Sequence, residues 1–303
     1  MVLTVTLNAA LDVTYQVEHQ SHGEPVRVRR VVSRPGGKGI NVAFVLSALD
    51  TKATVTGFTG GYRGQVIREG LANAGIIDAL IPIAGESRQT VVVAADDGGV
   101  AAYHEPGPVV SASEWKQFLV RYDALVADCS SVVCAGSLPS SVPDDAYAVL
   151  IEAAHRQKRT VVLDASGFAL RRGLEAEPDI VKVSLAEFSE LAGTDVTDEN
   201  SILSWAKDFK GDVIVTLGAE GAIACGDGWR WRVHPPKRTG NPVGAGDAFT
   251  AGLVCDDMVA AGTRDRLIFA TALAASSVGL PGAGLIDLGV ARDLVDEDKV
   301  VVM

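Results

Sequence analysis

SSVVCAGSLPSSVPDDAYAVLIEAAHRQKRTVVLDAS, residues 130–166, holds two short β-branched runs with a stretch of helix length, 144–158, between them. Each run is apolar at successive positions, as a strand covered on both faces of a parallel sheet requires. The same reading extends outward to VLTVTLN (2–8), KATVTGF (52–58), DIVKVS (179–184) and DVIVTLG (212–218). Helix-length segments recur between these runs at 39–49, 62–74 and 185–191. Regular alternation of strand and helix predicts an α/β fold, a doubly wound, mostly parallel sheet flanked by helices.

Two stretches break the rhythm. Residues 14–32 alternate apolar with polar side chains, and 88–104 form two runs around Asp96, Asp97, Gly98 and Gly99, a strong hairpin signal. Both read as antiparallel strands outside the main sheet. The expectation is one domain over 1–303, with β-lid insertions at about 13–34 and 87–106.

The 303 residues are 48% hydrophobic and 21% charged, which suits a folded globular chain. A net charge of -11 argues against a nucleic-acid partner, which calls for a basic surface. It leaves room for an anionic small molecule in a locally positive pocket. The four cysteines form no CxxC pair and no zinc spacing with the five histidines, so they read as reduced core residues of a cytoplasmic protein. The first twelve residues carry no basic region and reach Asp12 before any apolar run of signal length. The uncharged stretch 267–286 is broken by Thr271, Ser276, Ser277, glycines and Pro281, and reads as a buried helix and loop rather than a membrane span.

The sharpest chemical signal is NPVGAGDAFTAGL, residues 241–253. A turn of Gly244, Ala245 and Gly246 lets successive backbone N–H groups aim at one point, and the following helix adds its positive end. That is an anion hole. Asp247 at the helix start reads either as a cap or as a carboxylate placed to take a proton from an attacking hydroxyl. PGGKGINVAFVL, residues 35–46, is a second glycine-rich turn entering a helix, with Lys38 inside the turn and Asn41 one turn on. Its plainer reading is a strand–helix connection with a solvated lysine. The Walker pattern GxxxxGK[ST] is absent.

Taken together, these two segments, about 200 residues apart, resemble the signatures of the ribokinase/PfkB carbohydrate kinase family. TLNAALD (6–12), GSLPSSVP (136–143), KVSLAE (182–187) and VTLGAEGA (215–222) extend the likeness over nearly the whole chain. The resemblance implies Asp247 as catalytic base, with Gly244, Ala245 and Gly246 stabilising the phosphoryl group in transfer. It implies Asp12, Gly37 and Asn41 as contacts to sugar hydroxyls. Ser184, Gly218, Glu220 and Gly221 fall on the ATP side, and Glu187 matches a glutamate that organises Mg²⁺ through water. Two departures stand out in that segment: the family usually has proline at Val183 and asparagine at Ser184. Ala9 also replaces a frequent proline.

The likeness is to the family's phosphosugar branch. Lys38 and Arg88 match a cation pair on the substrate phosphate, Ser137 matches a hydroxyl contact to it, and Arg27 is a further candidate that reads equally as an edge-strand charge. Thr90 stands where relatives often carry asparagine. The expected reaction is ATP-dependent phosphorylation of a primary hydroxyl on a phosphorylated ketohexose. Fructose 1-phosphate is preferred; tagatose 6-phosphate, fructose 6-phosphate and an unphosphorylated sugar are the alternatives, together with a non-catalytic sugar-phosphate sensor. A homodimer joined through the β lid is expected, because exposed edge strands call for a partner.

Overall fold

The computed structural model describes residues 1–21, 23–194, 198–259, 261–296 and 301–302. The chain enters the core as β1 (Val2–Thr6), leaves it for β2 (Ala10–Val17) and β3 (Arg30–Gly36), and returns through α1 (Lys38–Ala48) to β4 (Ala53–Thr59). Helix α2 (Gly61–Asn73) and the short β5 (Ile77–Asp78) and β6 (Ile81–Pro82) precede a hairpin of β7 (Arg88–Ala95) and β8 (Val100–His104). Strand–helix alternation follows: α3 (Ala112–Ala127), β9 (Ser131–Ala135), α4 (Ala146–Arg156), β10 (Thr160–Asp164), α5 (Gly167–Leu174), β11 (Ile180–Ser184) and α6 (Leu185–Ala192). Next come α7 (Glu199–Ala206), β12 (Asp212–Thr216), β13 (Ala222–Gly226) and β14 (Trp229–His234). Helices α8 (Ala245–Val254), α9 (Asp256–Val259), α10 (Thr263–Ser277) and α11 (Leu288–Asp296) and strand β15 (Val301–Val302) complete the chain.

The main sheet runs β15-β14-β13-β12-β11-β10-β9-β1-β4-β5, with β6 also on β4. All pairs from β12 to β5 are parallel, so the chain reverses direction only in the β13–β15 part. Along each central strand neighbouring residues enter opposite cores. Val133, Val162 and Ile214 pack on one face, while Val132, Val161, Leu163, Val213 and Val215 pack on the other. Both faces are covered, which is why these strands read as unbroken apolar runs.

The β13–β14 hairpin is an addition to the expected set of strands. Its turn is Asp227-Gly228 with Gly228 at φ 72, and an Asp-Gly pair between two apolar-rich runs is itself a hairpin signal. The two stretches that break the alternation form a second sheet in the order β3-β2-β7-β8, referred to below as the lid sheet. Its first strand starts at Ala10 and its second ends at Gly36, so Asp12 lies within a strand, and residue 22 of this segment lies outside the described residues.

Candidate functional site

A pocket of about 1090 Å³ lies between the inner face of the lid and the C-terminal ends of the main-sheet strands. Open α/β sheets keep their ligands at that edge. Two helices enter it with glycine at the N-cap and no side-chain cap: α1 behind Gly37 and α8 behind Gly244. Their first N–H groups are therefore not spent on a capping side chain. Gly244 sits at φ 89, and a Cβ there would come within 2.5 Å of the Ala283 Cα, so the turn admits only glycine.

Asp247, in the first turn of α8, is 7% exposed, and its Oδ2 accepts from Asn41 Nδ2 of α1 at 2.8 Å. Burial, reinforced by the negative charge of Asp164, pushes its carboxyl up to about 6, against the pull of Lys182, Lys38 and Asn41. A carboxylate at that value is basic enough to receive a hydroxyl proton yet ionised at neutral pH.

Beneath it lies an ionic network. Asp164, fully buried at the end of β10, accepts from Lys38 Nζ at 2.8 Å through Oδ1 and from Lys182 Nζ at 3.0 Å through Oδ2. The Thr250 hydroxyl of α8 lies 2.8 Å from the same Oδ2. Burial opposes the charge on Asp164, but Lys182 and Lys38 outweigh it and hold the carboxyl well below its usual range. Lys38 also donates to Glu187 Oε1 at 2.9 Å, and despite burial these two carboxylates raise its pKa. Glu187 and Ser184 form a reciprocal cap at the start of α6: Ser184 N donates to Glu187 Oε2 at 2.7 Å, and Glu187 N donates to Ser184 Oγ at 3.2 Å. The hydroxyl that replaces the family's asparagine is thus a helix cap here.

On the side of the second sheet, Asp12 is partly buried, and burial raises its pKa against the pull of Thr90, Arg88, His104 and Arg34. Arg88 Nε donates to the Asn8 carbonyl at 3.1 Å, and Asn8 Nδ2 donates to Ser137 Oγ at 3.1 Å. Asn8 therefore ties the expected guanidinium to the expected hydroxyl.

Asp12, Gly37, Lys38, Asn41 and Arg88 line the pocket together with Ser184, Glu187, Gly218, Gly221, Gly244, Ala245, Gly246 and Asp247. Ser137 is exposed and does not line the pocket; it is linked to Arg88 only by way of Asn8. Three expectations need correction. Arg27 is exposed on the segment between β2 and β3 and does not line the pocket, and Glu220 is exposed with its Oε1 3.8 Å from Lys237. Lys38, expected to serve a phosphate beside Arg88, is engaged by the carboxylates of Asp164 and Glu187. Asp164, Lys182, Thr250 and Asn8 were not anticipated. A signal existed for two of them, since an Asp at the end of TVVLDAS and a Lys inside DIVKVS are charges in otherwise buried runs.

The profile of the "pfkB family carbohydrate kinase" matches residues 5–288. The chain belongs to that family and is an ATP-dependent carbohydrate kinase. A 1-phosphofructokinase of Vibrio cholerae is 33% identical over 291 residues, covering 94% of this chain and 92% of the relative. Among solved pfkB-type structures, a possible 1-phosphofructokinase from Thermotoga maritima superposes with a TM-score of 0.91 at 26% identity, covering 100% of this chain and 98% of its own. Phosphofructokinase-2 from Escherichia coli in complex with substrates and products gives 0.89 at 25%, covering 98% of each chain. The mostly parallel, helix-flanked fold of this kinase is the one those structures share.

Proposed function

We propose that this kinase transfers the γ-phosphoryl group of ATP to a primary hydroxyl of a phosphorylated ketohexose, with fructose 1-phosphate going to fructose 1,6-bisphosphate as the leading assignment. The observation that carries the reading is Asp247, a buried carboxylate lifted to about 6 at the open N-terminus of α8, in a pocket whose other wall holds Arg88 and Asp12. The names of the Vibrio cholerae and Thermotoga maritima relatives favour the same substrate.

In this mechanism Asp12 and Asn41 orient the sugar, and Arg88 with Ser137 holds its phosphate. Asp247 takes the proton of the primary hydroxyl as its oxygen bonds to the γ-phosphorus and the bond from that phosphorus to ADP breaks. The backbone N–H groups of the Gly244, Ala245 and Gly246 turn, of which that of Ala245 donates to the Pro242 carbonyl in the free protein, act with the ammonium groups of Lys182 and Lys38 to balance the negative charge that develops. Gly218 and Gly221 bring the backbone close to the nucleotide.

Mg²⁺ fits the donor set. Glu187 is a single carboxylate whose side chain is 20% exposed at the pocket, and Mg²⁺ commonly binds through one or two carboxylates, water and nucleotide phosphates. When bound, it would shield the phosphate charges. Pairing of two copies through the lid belongs to the same reading, because Val31 and Tyr103, on the lid face turned from the pocket, are 56% and 63% exposed. So does a reducing, cytoplasmic setting, with all four cysteines buried as free thiols.

The test is ADP release with MgATP against fructose 1-phosphate, tagatose 6-phosphate, fructose 6-phosphate and free fructose. Turnover of the phosphorylated sugars is expected to exceed by far any residual turnover of free fructose, and to be fastest with fructose 1-phosphate. Turnover of free fructose alone would overturn the phosphosugar assignment.

A further inference from the structure

The inner face of the lid carries a row that is polar at all four positions. Arg34 of β3 pairs in register with Asp12 of β2, Asp12 with Thr90 of β7, and Thr90 with His104 of β8. Residues directly opposite across a sheet share a face, and all four line the pocket. The next row on that face, Val32, Thr14, Val92 and Ala102, is mostly apolar, so polar recognition on the lid concentrates in the row that holds Asp12.

Arg34 is the member of this row with an unspent donor. Its Nη1 is buried without a hydrogen-bond partner among the described residues. The guanidinium lies 5.4 Å over the Phe44 ring, which fixes its plane without using its N–H groups. An ideal Cβ on Gly282 would lie 3.4 Å from Nη1, so the arginine tip abuts the loop at 282–284. That loop continues to Ala283, against Gly244, and to Gly284, against Asn41. Arg34 therefore stands between the sugar carboxylate Asp12 and the turn where phosphoryl transfer is placed. A guanidinium stays charged and so cannot shed the proton of an unmet N–H, and a buried donor left unmet in the free protein is one that a ligand can meet.

Asp12 as a carboxylate can only accept hydrogen bonds. A sugar hydroxyl that donates to it still offers lone pairs, and the neighbouring guanidinium supplies the matching donor. We propose that Arg34 is a substrate-binding, specificity-determining residue: Nη1 donates to the ketohexose hydroxyl whose own proton is directed at Asp12. This rests on the phosphosugar reading above. It assigns Arg34 to the sugar ring, leaving the phosphate to Arg88 and Ser137.

The experiment compares wild type, Arg34→Met and Arg34→Lys by steady-state kinetics with fructose 1-phosphate, its 3-deoxy and 4-deoxy analogues, and ATP, alongside thermal unfolding. Loss of one charge-assisted hydrogen bond raises the KM for the sugar roughly 10- to 100-fold in Arg34→Met, with the KM for ATP unchanged. Arg34→Lys retains the stem and charge, remains measurable if the Met variant unfolds, and is expected to lie between wild type and Arg34→Met. With the deoxy analogue that lacks the contacted hydroxyl, wild type and variants converge. A sugar KM within twofold of wild type, an equal rise in both KM values, or the same loss on every analogue overturns the proposal. Wild-type silence on all phosphorylated ketohexoses would instead overturn the functional reading on which it stands.

Discussion

Lys182 Nζ lies 3.0 Å from Asp164 Oδ2, with side chains only 4% and 0% exposed, and the same carboxylate holds Lys38 through its other oxygen. Two ammonium groups thus share one buried carboxylate, and Lys38 is balanced further by Glu187. Asp164 does not line the pocket, yet its charge raises the Asp247 carboxyl and its two oxygens hold both lysines.

Asp164→Asn removes that charge without changing the shape. Breaking a buried ion pair on one side is expected to cost about 3–5 kcal/mol, read as a lower midpoint in urea. The pH profile separates this from simple destabilisation. With Asp164 neutral its repulsion of Asp247 is gone while both lysines stay charged, so Asp247 titrates lower and the acid limb of kcat/KM moves below 6 in whatever folded enzyme remains. An acid limb left in place would refute the electrostatic link.

Asp247 itself ties activity to stability. In the folded chain its carboxyl is raised to about 6 from the ordinary 3.8, so between those pH values the folded state binds more protons than the unfolded one. Stability contributed by this group is therefore greatest below about pH 4 and declines as the pH rises to 6. Asp247→Asn is expected to remove most turnover while stabilising the protein at pH 7 by on the order of 1–3 kcal/mol. The two unfolding curves should converge at pH 4. Near-full activity in the variant would remove Asp247 as the base.

How much of this was open to reading follows from the range of each interaction. The parallel strands were legible because β-branched runs such as 131–135 and 160–164 state their burial locally. The two glycine turns were legible for the same reason, since Gly37 and Gly244 are needed by the backbone around them. Asp164 and Lys182 meet because β10 and β11 are neighbours, and Lys38 reaches them from a segment 126 positions away. Nothing in TVVLDAS or DIVKVS names that partner. Arg88 and Ser137 were named separately, whereas Asn8, which connects them, looked like the end of a strand. Arg27 and Arg34 were hard to separate in a run of arginines, and only the register of β3 against β2 turns Arg34 inward.

The anion hole offers a steric test. An ideal Cβ on Gly246 would lie 2.8 Å from Lys182 Nζ, and that nitrogen is held by Asp164. In Gly246→Ala the end of the lysine must shift, away from the place where the phosphoryl charge develops. The expected result is kcat reduced roughly 10- to 100-fold, with KM for sugar and thermal stability close to wild type. Gly244→Ala, where the clash is with backbone at φ 89, is expected to disturb folding instead. Unchanged kcat in Gly246→Ala would show that Lys182 takes no part in transfer.

Arg88 tests the phosphate end of the sugar. Its guanidinium is withdrawn from water, which lowers its pKa against the pull of Asp12 and Glu105, and Nε is spent on the Asn8 carbonyl. The hydrogen bond that positions Arg88 thus runs through the residue that also holds Ser137. Arg88→Ala is expected to raise the KM for fructose 1-phosphate about 10- to 100-fold, as loss of a charged phosphate contact does, and to leave the KM for ATP within twofold. Ser137→Ala should act in the same direction and more weakly, and the double variant should lose less than the product of the two, because both side chains serve one anion through Asn8. Residual turnover of free fructose should be untouched by either change, since that substrate carries no phosphate for them to hold. A fall with free fructose equal to that with fructose 1-phosphate would mean that Arg88 supports the lid rather than the phosphate.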